Sequence, residues 1–108
     1  MRLYHNPRCS KSRQALAIMN ESGVGFEEYR YLDLGIANED LELLSTLENV
    51  IRTSDIKSDE SIDLSSQSVV ADLLRNNPRL LQRPILVNDG KAVIGRPPEE
   101  IFTLLREV

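Results

Sequence analysis

One cysteine, one histidine and no tryptophan occur among the 108 residues of this chain. A single cysteine excludes an intrachain disulfide, and a free thiol persists best in a reducing compartment. It also excludes a thiolate-built zinc site, so no bound metal is expected. No apolar stretch approaches the roughly 20 residues that span a bilayer, and no signal-like apolar segment precedes Pro7. A cytoplasmic protein without membrane association is the expectation. Cations are in the minority: 13 Lys and Arg against 17 Asp and Glu give a net charge of −4. That balance argues against broad nucleic-acid binding, which shows as net positive charge. No repeat or low-complexity tract occurs, and the length suits one domain over residues 1–108.

The scarce residues are not scattered. "HNPRCSKSR", from His5 to Arg13, holds both the cysteine and the histidine, and Arg2, Arg8, Lys11 and Arg13 lie close to Cys9 in sequence. "RLYHN" before it reads as a short strand stopped by Pro7. The run "SKSRQALAIMNES" from Ser10 places Ala15, Leu16 and Met19 on one helical face, with Gly23 as its C-terminal cap. "FEEYRYLDL" alternates as a strand, and Asn38 is placed to cap a helix over "EDLELLSTLENV". The polar stretch from Thr53 to Ser66 reads as a solvated loop, and "SVVADLLRNN" as a helix ended by Pro78. "PILVNDGKAVI" is a hairpin around Asp89-Gly90, a pair suited to a type I′ turn. "PPEEIFTLLREV" reads as the closing helix, with Glu99 and Glu100 at its positive end. The order β-α-β-α-α-β-β-α gives an α/β protein with a mixed four-stranded sheet flanked by helices. This is the thioredoxin-like arrangement, although the order alone also fits other α/β folds.

A helix beginning at Ser10 puts Cys9 at its N-terminus, where free N–H groups and the helix dipole favour a thiolate. Nearby cations act the same way, and a lowered thiol pKa makes cysteine a nucleophile. The N–H groups of Ser10, Lys11 and Ser12 are placed to hold an oxyanion. The plainer alternative is a small buried hydrophobe, but the polar neighbours favour a reactive thiol. His5 either supports the thiolate or simply ends a strand as a polar residue.

Hairpin register pairs residues whose numbers sum to 179, so Ile85 faces Ile94, Pro84 faces Gly95 and Arg83 faces Arg96. Two arginines facing each other repel unless an anion lies between them; the other reading is a pair of solvated strand-end side chains. An X-Pro bond is usually trans, and by itself Arg52 is an ordinary surface arginine.

Together, "HNPRCSKSR", "IR" at 51–52, "NNPRLLQRPILV" and "AVIGRPPEEI" resemble the glutaredoxin-dependent arsenate reductase family, in its shorter bacterial branch. The similarity runs over nearly the whole chain. It implies a thioredoxin-like core and Cys9 as the nucleophile toward arsenate. It also implies that Arg52, Arg83 and Arg96 bind the oxyanion, that His5 favours the thiolate and that Pro84 is cis. With no second cysteine, glutathione and then glutaredoxin supply the reducing thiols, no cofactor is bound, and a monomer is expected. Two other functions share this scaffold: a thiol oxidoreductase acting on another oxyanion or on glutathione mixed disulfides, and an Spx-type RNA polymerase-binding regulator. The regulators carry C-x-x-C, where this chain has Ser12.

Overall fold

Strand β1 (Arg2–Tyr4) is followed by helix α1 (Ser10–Ser22) and strand β2 (Glu27–Tyr29), which pairs parallel to β1. A single helical turn, α2 (Tyr31–Leu34), precedes α3 (Asn38–Ser45) and α4 (Gln67–Asn76). The hairpin β3 (Ile85–Asn88) and β4 (Lys91–Ile94) then leads through a 3₁₀ turn at Pro98–Ile101 into α5 (Phe102–Leu105). This computed structural model describes residues 1–56 and 62–105. The sheet order is β2-β1-β3-β4, with β3 antiparallel to both of its neighbours. No helix among the described residues is long and apolar enough to cross a membrane.

Strand alternation sorts the core into two halves. Leu3 and Leu86 point to one face, where Ala15 and Met19 of α1 meet Ile101 and Leu104. Tyr4, Ile85 and Val87 point to the other, against Tyr31, Leu44, Leu74 and Leu81. Gly23 ends α1 with φ +73°, as a helix-terminating left-handed residue must. Asp89 and Gly90 both have positive φ, 49° and 77°, as the type I′ turn requires, and Ile85↔Ile94 and Asn88↔Lys91 pair in the predicted register.

Three elements differ from the sequence reading. The strand predicted through Leu34 ends at Tyr29, because the chain turns to bury Tyr31 and closes with Gly35 N–H donating to Tyr31 O at 2.8 Å. Asn38 lies inside α3 rather than capping it; the capping position is Ala37. The start of α3 is fixed instead by Asp40, which accepts from Tyr4 Oη and Arg2 Nη1, each at 2.6 Å. The closing helix begins as 3₁₀ and becomes α-helical only at Phe102. Its last predicted residues, 106–108, and residues 57–61 of the predicted polar loop lie outside the described residues, whereas Thr53–Asp55 of that loop forms a 3₁₀ turn.

Candidate active site

The sequence-predicted residues converge because of strand direction. β1 and β2 are parallel and β3 runs against them, so the residues after Tyr4 and Tyr29 and those before Ile85 share one edge. His5 N–H continues the ladder by donating to Tyr29 O at 2.9 Å. Asn6, Pro7 and Arg8 then form a tight turn: Cys9 N–H donates to Asn6 O at 3.0 Å and Arg8 N–H to Asn6 Oδ1 at 3.0 Å. Cys9 occupies the N-cap of α1 with extended backbone (φ −96°, ψ 123°), and its carbonyl accepts from Arg13 N–H at 3.0 Å.

The free thiol is partly exposed. Burial pushes its pKa up, but the N–H of Ser12, the guanidinium of Arg83 and the N–H of Lys11 outweigh that and lower it. The first-turn amides of α1 thus act on sulfur, and one cation from seventy-four residues downstream (83 − 9 = 74) adds to them. Ser12 has a second task. Its hydroxyl is fully buried, accepts from Asn6 N–H at 3.0 Å and shares a 2.7 Å hydrogen bond with His5 Nδ1. His5 is 2% exposed, and burial lowers its pKa, so its neutral form is favoured. The imidazole therefore fixes the turn that carries Cys9 rather than supplying a positive charge to it. Ser10 is exposed and contributes through its backbone position only.

Arg52 is brought in by a long-range contact. Ile51 bridges Leu81, Arg52 N–H donates to Leu80 O and Gln82 N–H to Val50 O, both at 2.7 Å. Those bonds tie the segment 50–52 beside the one leading to Arg83. Asp55 joins the two side chains: its Oδ2 lies 2.8 Å from Arg52 Nε and 4.0 Å from Arg83 Nη1. Arg96 donates to Arg83 O at 3.0 Å, and with Arg52 and Gln82 it lines a cavity of about 740 Å³. Both Arg83-Pro84 and Arg96-Pro97 are cis. Pro84 matches the implied isomer, and Pro97 was not anticipated. Pro84 O accepts from Gly95 N–H at 2.7 Å. A Cβ at Gly95 would lie 2.9 Å from Pro84 Cγ, so only glycine permits this approach.

Of the basic residues near Cys9 in sequence, Arg2 is not at the site. It sits at the far end of β1, paired with Glu27, Glu39 and Asp40. Arg13 is exposed and donates to Pro7 O at 3.0 Å. Asn6 and Asp55 belong to the site and were missed; only the position of Asn6 inside "HNPRC" could have drawn attention to it.

A partly exposed thiol of lowered pKa at a helix start, faced by guanidinium groups, is equipped to attack an anionic electrophile. The model of the ArsC family matches residues 4–104. The chain belongs to the ArsC family. An ArsC relative, the arsenate reductase of Neisseria meningitidis serogroup A, is 37% identical over 97% of this chain and 97% of its own length. The solved structure of an arsenate reductase from Vibrio cholerae matches with a TM-score of 0.75 at 28% identity, covering 95% of this chain and 97% of that one. The fold is the thioredoxin-like one of ArsC arsenate reductases. The global transcriptional regulator Spx of Streptococcus mutans is also similar to this ArsC-family chain, at 32% identity over 95% of it and 81% of the regulator.

Proposed function

We propose that this chain reduces arsenate to arsenite through a covalent adduct on Cys9. The observation that carries this reading is the convergence of Arg83 on a Cys9 thiol whose pKa is lowered, with Arg52 and Arg96 fixed at the same sheet edge. Cys9 Sγ bonds to arsenic while one arsenate oxygen leaves as water, and the arginines balance the charge of the adduct. A glutathione thiol displaces a second oxygen. A glutaredoxin thiolate then attacks the glutathione sulfur, and the electron pair of the broken As–S bond stays on arsenic. Arsenic(III) leaves Cys9 as arsenite when water replaces the thiolate, and the glutathione departs as a mixed disulfide with glutaredoxin. The reducing thiols come from outside because the chain has one cysteine, so a reducing cell interior is the setting we assign.

Purified protein supplied with arsenate, glutathione and glutaredoxin is expected to release arsenite, and Cys9→Ser is expected to stop it. Unchanged turnover in Cys9→Ser sinks the mechanism. A reactive Cys9 without arsenate turnover would instead favour a thiol oxidoreductase acting on another oxyanion or on mixed disulfides. The Spx likeness supports one further reading, a regulator that binds RNA polymerase, for which stable co-purification with the polymerase is the test. Ser12 in place of a second cysteine counts against it.

A further inference from the structure

Tyr31 is a core residue with an unsatisfied end. Its side chain is 0% exposed and its ring packs 6.2 Å from that of Tyr4, yet its hydroxyl has no hydrogen-bond partner among the described residues. Buried phenols normally find one. Tyr31 stands two residues beyond Tyr29, the partner of Tyr4, so it leaves the sheet at the edge where the Cys9 turn begins. Burial pushes the phenol pKa up, which keeps its proton in place at neutral pH; the charges that act on it are those of Arg83, Cys9 and Arg52. The Asn6 carboxamide is near enough to act on it as well, but no hydrogen bond of normal geometry joins them.

A second orphan lies beside it in kind. Arg83 Nε–H is also buried without an acceptor. Both groups offer a proton; the remaining orphan among the described residues, Gln82 Oε1, is an acceptor and lines the cavity with Arg52 and Arg96. A tetrahedral oxyanion carries acceptors only, in several directions at once. We propose that the Tyr31 hydroxyl is a substrate contact, donating a hydrogen bond to an oxygen of the oxyanion bound at Cys9 alongside Arg83 Nε–H. This rests on the reading of the site as an oxyanion site, and it adds a neutral donor to the arginines. A neutral donor holds an anion without adding charge, so it serves the bound anion and the adduct alike.

The test is binding rather than turnover. In the full-length Cys9→Ser protein, where no covalent step occurs, the dissociation constants of arsenate and sulfate are measured by titration calorimetry with and without Tyr31→Phe. The loss of one hydrogen bond to a charged group predicts affinity weaker by about tenfold or more. The urea midpoint is expected to hold or rise, because the deleted hydroxyl leaves no partner unpaired. With Cys9 intact, sulfate is expected to shield the thiol from iodoacetamide less well in Tyr31→Phe than in the wild type, which gives a readout even if calorimetry of the double variant fails. Equal affinities and equal shielding overturn the role of Tyr31 alone. Failure of the Tyr31-containing protein to bind any oxyanion overturns the oxyanion site and the Tyr31 role together.

Discussion

Arg96 reaches across the hairpin and donates from Nη1 to the backbone oxygen of Arg83, 3.0 Å away. Two arginines facing each other on adjacent strands are thereby separated: Arg83 acts on the thiol, and Arg96 looks over the cavity it lines with Arg52. The repulsion expected from their register is relieved by that backbone bond, and both cations stay available to an anion. Removing one should cost transition-state stabilisation. Arg96→Ala is expected to lower kcat/KM for arsenate by about 10²–10³, the range for loss of one preorganised donor, as measured by arsenite release at limiting arsenate.

Arg83 is the arginine whose influence on Cys9 is direct. Its loss removes the guanidinium that favours the thiolate, so Arg83→Ala should raise the Cys9 pKa. The thiolate fraction at neutral pH then falls and iodoacetamide alkylation slows. Alkylation rates followed against pH give the shift, with the inflection moving to higher pH. An unmoved inflection would show that the α1 amides alone set the thiol.

Asp55 competes with any incoming anion for Arg52 and, at longer range, for Arg83. The pair with Arg52 is partly exposed and worth about 0.2–1 kcal/mol. Asp55→Asn should therefore tighten sulfate binding to the Cys9→Ser protein by about two- to fivefold, read by calorimetry.

His5 carries a pH signature. Burial holds its folded pKa below the ordinary 6.5, so the unfolded chain binds the extra proton more readily. Stability is then fully present above about pH 6.5 and declines as pH falls from there toward the folded pKa. Urea unfolding across that window should show the decline in the wild type and a flatter profile in His5→Asn, which starts from a lower stability because the bond to Ser12 is altered.

Gly95 tests the packing behind the cis prolyl segment. A methyl group there meets Pro84 Cγ at 2.9 Å and Ile101 Cγ2 at 3.1 Å. Gly95→Ala should cost about 1–3 kcal/mol of stability, the usual range for overpacking. Because Pro84 would have to move, anion binding should weaken with it.

How much of this was legible depended on the range of the contacts involved. The hairpin could be read to the residue, since Asp89-Gly90 fixes the turn and the turn fixes the register from Asn88↔Lys91 back to Ile85↔Ile94. The thiol at the helix start was equally local, set by Pro7 before it and the Ala15–Met19 face after it. Arg52 was different: nothing near it in sequence points to the site, and only the Ile51–Leu81 bridge puts it there. Family resemblance supplied that residue where periodicity had none to give. Tyr31 misled because its spacing from Tyr29 imitates a strand, while burial against the core turned the chain instead. Asn38 misled in the same way, its capping chemistry overruled by the charged network of Arg2, Tyr4 and Asp40.

At position 12 a single oxygen holds the approach to the thiol in place. Ser12 Oγ ties the imidazole of His5 to the amide of Asn6, and through them holds the turn that presents the thiol. A sulfur in its place would bond both partners poorly, while setting a second thiol one helical turn beyond the first. Such a molecule would gain an internal oxidation switch and loosen the turn it depends on. With oxygen there, any disulfide at Cys9 must be made with a thiol from outside, so the disulfide state of this chain records its last thiol partner.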